Sequence, residues 1–260
     1  RATHGDTSEA LEALSWLARG ALAAKDLDAA ERDASEAYKL SVAALSRTTL
    51  ADDPHLQTSL GAAIETGALV AVEHGERTEA VSFLRKELET YRDTPIHKRL
   101  AKNLNLLSLE GQPAPPLETG EYLDRPALGF AELKGKVVVL FFWAHWCPDC
   151  KIESPILAKL LEKYRAQGVE VIAPTQRYGY VTAGKPAPPD EELRHIVEIR
   201  DQYYPFLKNQ PVPVSEANHK LYGVASTPTV VLLDRDGLVR VYHPGRMTEE
   251  ELEAAIRALL

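Results

Sequence analysis

Cysteine is almost missing from this chain. The 260 residues hold two, both within Trp146-Cys147-Pro148-Asp149-Cys150. A disulfide-stapled scaffold would spread more cysteines along the sequence, so that class is excluded. A structural zinc site needs further ligands. There is no second Cys pair, and His145, His195, His219 and His243 have no finger-like spacing to this one, so no metal is expected. Long apolar runs are lacking too: the densest, Val137 to Trp146, is about ten residues against the roughly twenty of a membrane span. Positive charge is in deficit, with 30 Lys and Arg against 38 Asp and Glu and a net charge of −8. Nothing here favours nucleic acid or an anionic membrane surface as a partner. The single methionine is Met247 and the first residue is Arg1. A removed signal peptide or N-terminal anchor would account for that start, and so would an arbitrary boundary. What is present is ordinary for a globular protein, 45% apolar and 26% charged, which argues against a mainly disordered or fibrous chain.

The first hundred residues read as helices. Leu11, Leu14, Leu17, Ala18, Ala21 and Leu22 recur at helical spacing after Thr7 and Ser8. Asp26 can cap a second helix, with Leu27, Ala30, Ala34, Ala37 and Leu40 on one stripe. A third is expected from about Pro54 to His74, a fourth from about Arg77 to Tyr91 and a fifth around Pro95 to Leu107. Lys25-Asp26-Leu27-Asp28-Ala29-Ala30 and Gly75-Glu76-Arg77-Thr78-Glu79-Ala80 open the second helix of each pair. This resembles tetratricopeptide-type helix hairpins, although the offset of 50 exceeds that repeat's usual length of about 34. A plain helical bundle fits equally. We therefore expect an all-α domain over 1–110.

Gly111-Gln112-Pro113-Ala114-Pro115-Pro116 reads as a linker, because its prolines cannot continue a helix. Beyond it, over 117–260, the periodicity changes. Val137-Val138-Val139-Leu140-Phe141-Phe142-Trp143 has the character of a strand buried on both faces. A helix from Pro148 to about Gln167 follows, then a strand Val169 to Ala173 and a helix from Asp190 to about Tyr204. A hairpin of Thr229 to Leu233 and Leu238 to Tyr242 turns at Asp234-Arg235-Asp236-Gly237. Thr248 caps a last helix. The order βαβα then ββα predicts an α/β fold with a mixed sheet flanked by helices. The stretch Gln176 to Pro189 reads as a long loop that either flanks the site or is a surface connection, and the surface connection is the expectation.

The Cys pair lies where a buried strand exits into a helix. Cys147 at the helix start meets unpaired backbone N–H groups and the positive end of the dipole, which favour a thiolate. Pro148 at the first helical position forfeits no hydrogen bond. Cys150, one turn in, can close a small disulfide ring. Cys147 is thus the candidate attacking sulfur and Cys150 the resolving one. Asp149, an acid between the sulfurs, should oppose the thiolate.

Phe142-Trp143-Ala144-His145-Trp146-Cys147-Pro148-Asp149-Cys150-Lys151 resembles the thioredoxin active-site segment. Pro155 matches that family's helix-kink proline, and Tyr222-Gly223-Val224-Ala225-Ser226-Thr227-Pro228-Thr229 resembles its second signature, whose proline is cis. Pro244-Gly245-Arg246 before the final helix matches as well. With Leu133-Lys134-Gly135-Lys136-Val137-Val138 and Glu153, the segment is most similar to the TlpA/ResA-like branch of exported, often membrane-anchored thioredoxins. The resemblance implies a thioredoxin fold over 117–260. It also implies a substrate strand pairing beside Thr227 and Pro228, with Trp146 and Pro148 at the site wall, and Glu153 as proton acceptor for Cys150. Phe141 stands where ordinary thioredoxins bury an aspartate. His145 is expected to be a partly exposed loop residue, Trp143 a core residue and Lys151 a surface charge.

The implied function is thiol-disulfide exchange with protein disulfides or dithiols, reductive in direction and outside the cytoplasm, without a cofactor. A thiol electron donor, membrane-bound in such relatives, would restore the pair. Two alternatives stand beside it. One is a peroxiredoxin-like peroxide reductase, although Leu140 and Ala144 occupy the Pro and Thr positions of that element. The other is a helical adaptor, binding a protein partner, with a regulatory disulfide.

Overall fold

A computed structural model describes residues 7–126 and 129–260. Residues 1–6 of the expected helical domain and 127–128 of the second lie outside these. The chain divides into two compact units, one through Leu107 and one from Ser108 to Leu260.

The first unit holds α1 (Ser8–Ala23), α2 (Leu27–Ala44), α3 (Pro54–Glu73), α4 (Arg77–Thr90) and most of α5 (His97–Ser108). Thr7, Asp26 and Asp53 each accept a backbone N–H at the start of α1, α2 and α3, satisfying groups a helix leaves open. Helices α1 and α2 pack on each other and on α3, and α4 packs on α3. Leu11, Leu56, Leu60, Ile64, Leu84 and Leu100 form the core. The two interhelix turns correspond: Lys25 (φ 61°) and Gly75 (φ 85°) take the left-handed conformation at the same place before α2 and α4. Asp26 caps its helix, whereas Glu76 makes no side-chain cap.

In the second unit the central sheet runs β3 (Val169–Ile172), β2 (Val137–Phe142), β7 (Thr229–Leu233), β8 (Val239–Pro244). Strand β3 is parallel to β2, β7 antiparallel to β2 and β8 antiparallel to β7, so the sheet is mixed. Every β2 residue is buried. Val137, Val139, Phe141 and Trp143 face one core with Leu157, Leu160, Ile196, Leu252 and Ile256 of the helices α6 (Pro148–Tyr164), α7 (Pro189–Tyr203) and α9 (Glu249–Arg257). Val138, Leu140 and Phe142 face the other, with Tyr222, Val231 and Leu233. The period-2 alternation of a strand thus serves two cores at once.

Several elements have no counterpart in the sequence expectations. Strands β1 (Tyr122–Asp124) and β6 (Pro211–Pro213) pair antiparallel, β4 (Tyr180–Thr182) pairs with β5 (Lys185–Pro186), and α8 (Glu216–Leu221) is a short helix. The proline-rich stretch after Gly111 is laid along β8: Gly111 N–H donates to Val239 O, Val239 N–H to Gln112 O and Ala114 N–H to Gly237 O. The Tyr222 hydroxyl donates to Pro115 O, and Leu109 is buried in the second core. Proline is tolerated at an edge, where its missing N–H leaves no ladder bond unmade.

Candidate active site

Strand β2 ends at Phe142, and the chain turns through Trp143-Ala144-His145-Trp146 into α6. Cys147 is the N-cap of α6, and its sulfur accepts the Cys150 N–H at 3.1 Å. Pro148 occupies the first turn with Asp149 behind it. Cys147 and Cys150 are joined as a disulfide. Cys147 is only 1% exposed and Cys150 is fully buried. Cys147 Sγ lies 3.3 Å from the Thr227 carbonyl oxygen, and the Thr227–Pro228 bond is cis. Trp146, 43% exposed, and Pro148 flank Cys147 along the chain, while Pro228 is buried.

The structure therefore brings together Trp146, Cys147, Pro148, Cys150, Thr227 and Pro228. Glu153 joins them from the next turn of α6. It is 0% exposed, and its Oε1 accepts the Met247 N–H at 3.1 Å. Burial pushes its pKa up to about 7, against the Met247 N–H and the Arg246 charge, which pull it down; Asp149 adds to the rise. A carboxyl poised near neutral pH is suited to exchange protons. Phe141 is fully buried and packs near Tyr204, with ring centres 6.3 Å apart, so no carboxylate comes from that position.

Two sequence expectations are corrected here. His145 is 1% exposed rather than a loop residue in solvent. Its ring is boxed by Tyr178, Tyr180 and His195, with centres 5.4 to 5.7 Å away. Burial holds its pKa below the usual histidine range, and His195 and Lys151 push the same way. The second correction is the 176–189 stretch, which is no plain connection. Tyr178 packs edge-on against Trp146 at 5.4 Å. Buried Glu192 fastens the stretch by accepting the Tyr178 and Gly179 N–H groups, and Arg177 forks onto Glu121. The signal was the run of tyrosines opposite an apolar strand exit, but their partners are 30 or so residues away along the chain, beyond any local pattern. Lys151 stands 4.3 Å above the Tyr203 ring as a cation–π contact.

Among the described residues no cluster of His, Cys, Asp and Glu is arranged to hold a metal ion, and no helix is long and apolar enough to cross a membrane.

The sequence pattern of the Redoxin family matches residues 109–259. The chain belongs to that family. Within it, the thiol-disulfide oxidoreductase ResA of Halalkalibacterium halodurans is 32% identical over 133 residues, covering 51% of this chain and 68% of that protein. The thioredoxin-like protein YneN of Bacillus subtilis is 31% identical over 144 residues, 55% of this chain and 76% of its own length. A solved structure of a protein described as the thiol:disulfide interchange protein DsbE, from Chlorobium tepidum, aligns with 58% of this chain and 96% of its own at 27% identity and a TM-score of 0.46. This Redoxin-family chain is a thiol-disulfide oxidoreductase, TlpA/ResA-like, with a thioredoxin fold behind an all-helical N-terminal unit. The redox pair, the buried carboxyl and the strand–helix junction all fall within the 109–259 match.

Proposed function

We propose that the protein reduces disulfides of substrate proteins outside the cytoplasm, with Cys147 as nucleophile, Cys150 as resolving thiol and Glu153 as its proton acceptor. The observation that carries this is Cys147 at the α6 N-cap, where the Cys150 N–H points at its sulfur at 3.1 Å and the helix dipole favours a thiolate.

The reduced Cys147 thiolate attacks one sulfur of a substrate disulfide. A mixed disulfide forms, and the other substrate sulfur leaves as a thiolate that takes a proton from water. Cys150 passes its proton to the Glu153 carboxylate and attacks Cys147 Sγ. The mixed bond breaks, the second substrate thiolate leaves and is protonated, and the Cys147–Cys150 disulfide remains. Two electrons and two protons have gone to substrate, and a dithiol donor returns them. Trp146, Pro148, Thr227 and Pro228 border the entry of the substrate strand, Thr227 offering backbone beside the sulfur.

The reductive direction and the location outside the cytoplasm are supported by the resemblance to exported TlpA/ResA-like thioredoxins, and no residue of this chain is asked to carry them. The donor is read as a thiol protein of the membrane on the same support. Leu140 and Ala144, both fully buried, stand where the peroxide-reducing branch has Pro and Thr, which disfavours that reading. For the helical unit we read α1–α2 and α3–α4 as repeated hairpins, supported by the matching turns at Lys25 and Gly75. An alanine-lined groove of about 350 Å³ between α2, α3 and α4 supports a protein partner there.

The deciding measurement is the Cys147–Cys150 reduction potential in the full chain, together with turnover of a protein disulfide. A potential near about −270 mV fits a reductant, and one near about −120 mV would overturn the direction.

A further inference from the structure

The Cys-Pro-Asp-Cys motif contains a difficulty of its own. Asp149 sits in the first turn of α6, between the two sulfurs. A carboxylate there suits the helix, because it faces the positive end of the dipole. It also opposes ionisation of the neighbouring thiols and draws on the same helix-end field that should hold the Cys147 thiolate.

The structure shows what faces that acid. Arg246, in the connection between β8 and α9, brings Nη1 to 3.7 Å from Asp149 Oδ1. The backbone that carries Arg246 is tied on several sides. Gly245 N–H donates to Pro228 O at 2.8 Å, fixing the segment to the cis-proline turn. Met247 N–H donates to Glu153 Oε1 at 3.1 Å, fixing it to α6. His243 Nε2 lies 3.2 Å from Arg246 O. Gly245 has φ 101°, a left-handed conformation that a side chain would strain, so the backbone turn itself asks for glycine. Three consecutive residues thus meet the cis-proline, the acid between the sulfurs and the buried carboxyl. The charged and titratable groups around this end of α6 are Asp149, Lys151 and Glu153 on the helix, His145 from the preceding turn with Glu192 and His195 near it, His243 beside the Arg246 carbonyl, and Arg246 itself. Lys151 is turned onto the Tyr203 ring, and burial disfavours a charge on His145. Among the described residues Arg246 is the cation within ion-pair distance of Asp149.

We propose that Arg246 is a positioning residue of the redox site: its guanidinium offsets Asp149, so that Cys147 keeps its thiolate despite an acid between the sulfurs. The acid in the motif and the arginine before α9 then form one functional pair contributed by two ends of the fold. The inference rests on the proposed role of Cys147 as nucleophile. Arg246 and Asp149 are 46% and 59% exposed at their side chains, so solvent screens the pair and its effect is modest.

The test uses the reduced full-length chain and needs no disulfide substrate. The rate of Cys147 alkylation by iodoacetamide is followed from pH 4 to 10 in wild type, Arg246→Gln, Arg246→Lys, Asp149→Asn and the double variant Arg246→Gln/Asp149→Asn. Arg246→Gln should raise the apparent thiol pKa, lowering the thiolate-dependent rate below that pKa about threefold. Arg246→Lys should restore most of it. In the Asp149→Asn background the Arg246 effect should fall to less than half, and roughly 1 M salt should remove the wild-type difference. An equal shift with and without Asp149, or none, overturns the proposal. If alkylation shifts as expected while the wild type fails to turn over protein disulfides, the proposed function fails and the pairing stands.

Discussion

Met247 and Glu153, 94 residues apart, are joined by a hydrogen bond of 3.1 Å from the Met247 N–H to Glu153 Oε1. That bond holds a carboxyl group inside the protein, one helical turn from Cys150. It is one of few polar contacts for this side chain, whose Oε2 is buried without a partner. The group therefore sits between two demands. Burial favours the neutral acid, and the Met247 N–H favours the carboxylate.

The kinetic consequence is testable in Glu153→Gln. The variant keeps the shape and the oxygen that meets Met247, but it accepts no proton. General-base assistance contributes about 10²–10⁴-fold, and a thiol needs less help, so the resolving step should slow roughly tenfold. In wild type that step should rise with pH through about 7, where Glu153 ionises, and the inflection should vanish in the variant. The first attack by Cys147 should change little. Stopped-flow exchange with a model disulfide separates the two steps. An unchanged resolving rate and pH profile would make Glu153 a structural carboxyl only.

Stability carries the same signature. The Glu153 pKa rises from an ordinary 4.5 to about 7 on folding, so between those values the folded state binds more protons than the unfolded one. Stability is then greatest at and below about pH 4.5 for this group and is lost as pH rises toward 7. At about 1.4 kcal/mol per unit, the loss is up to about 3 kcal/mol. Chemical denaturation of the oxidised protein at pH 5 and pH 8 should show it, and Glu153→Gln should flatten the difference. An equal pH dependence in both proteins would place the titrating group elsewhere.

The two cysteines should behave unequally. Cys147→Ser should abolish exchange, because the remaining thiol lies deeper and gains less from the helix end. Cys150→Ser should accumulate mixed disulfides, visible on non-reducing gels and by mass spectrometry. Capture of substrate by the Cys147→Ser protein instead would reverse the assignment.

The boundary between the units gives a fourth expectation. A fragment from Ser108 to Leu260 should fold and exchange disulfides without the helices. A fragment beginning at Leu117 should be weaker, since it loses buried Leu109 and the Gly111, Gln112 and Ala114 bonds to β8 and its turn. Removing a buried leucine alone costs about 2–5 kcal/mol. Equal melting of the two fragments would show that the 108–116 segment adds nothing.

Much of this protein could be read from the order of its residues. The helices α1 and α2 announce themselves by apolar spacing, and α2 also by Asp26 before its first turn. Strand β2 is a run of apolar residues with no polar interruption. The Cys147–Cys150 pair follows that strand directly, so the redox chemistry was legible from a local pattern. Such features depend on neighbours a few residues away, which is the range over which periodicity carries information.

The rest needed the tertiary structure. Strands β1 and β6 are three residues each, and β6 is Pro211-Val212-Pro213, too short and too proline-rich to show a strand period. Arg200 is fully buried against Asp124, 76 residues away, and nothing local distinguishes it from the solvated charges of α7. His145 looked like a loop residue until Tyr178, Tyr180 and His195 closed around it. Arg246 stood in the sequence only as part of the Pro244-Gly245-Arg246 match, and its ion pair with Asp149, 97 residues away, is visible only in space. Local sequence determined where the two sulfurs lie and which of them stands at the helix start, the basis for proposing Cys147 as the nucleophile. Contacts between distant parts of the chain decided which groups share their electrostatic field, because burial and charge pairing are set by what packs nearby in space and leave no periodic trace along the chain.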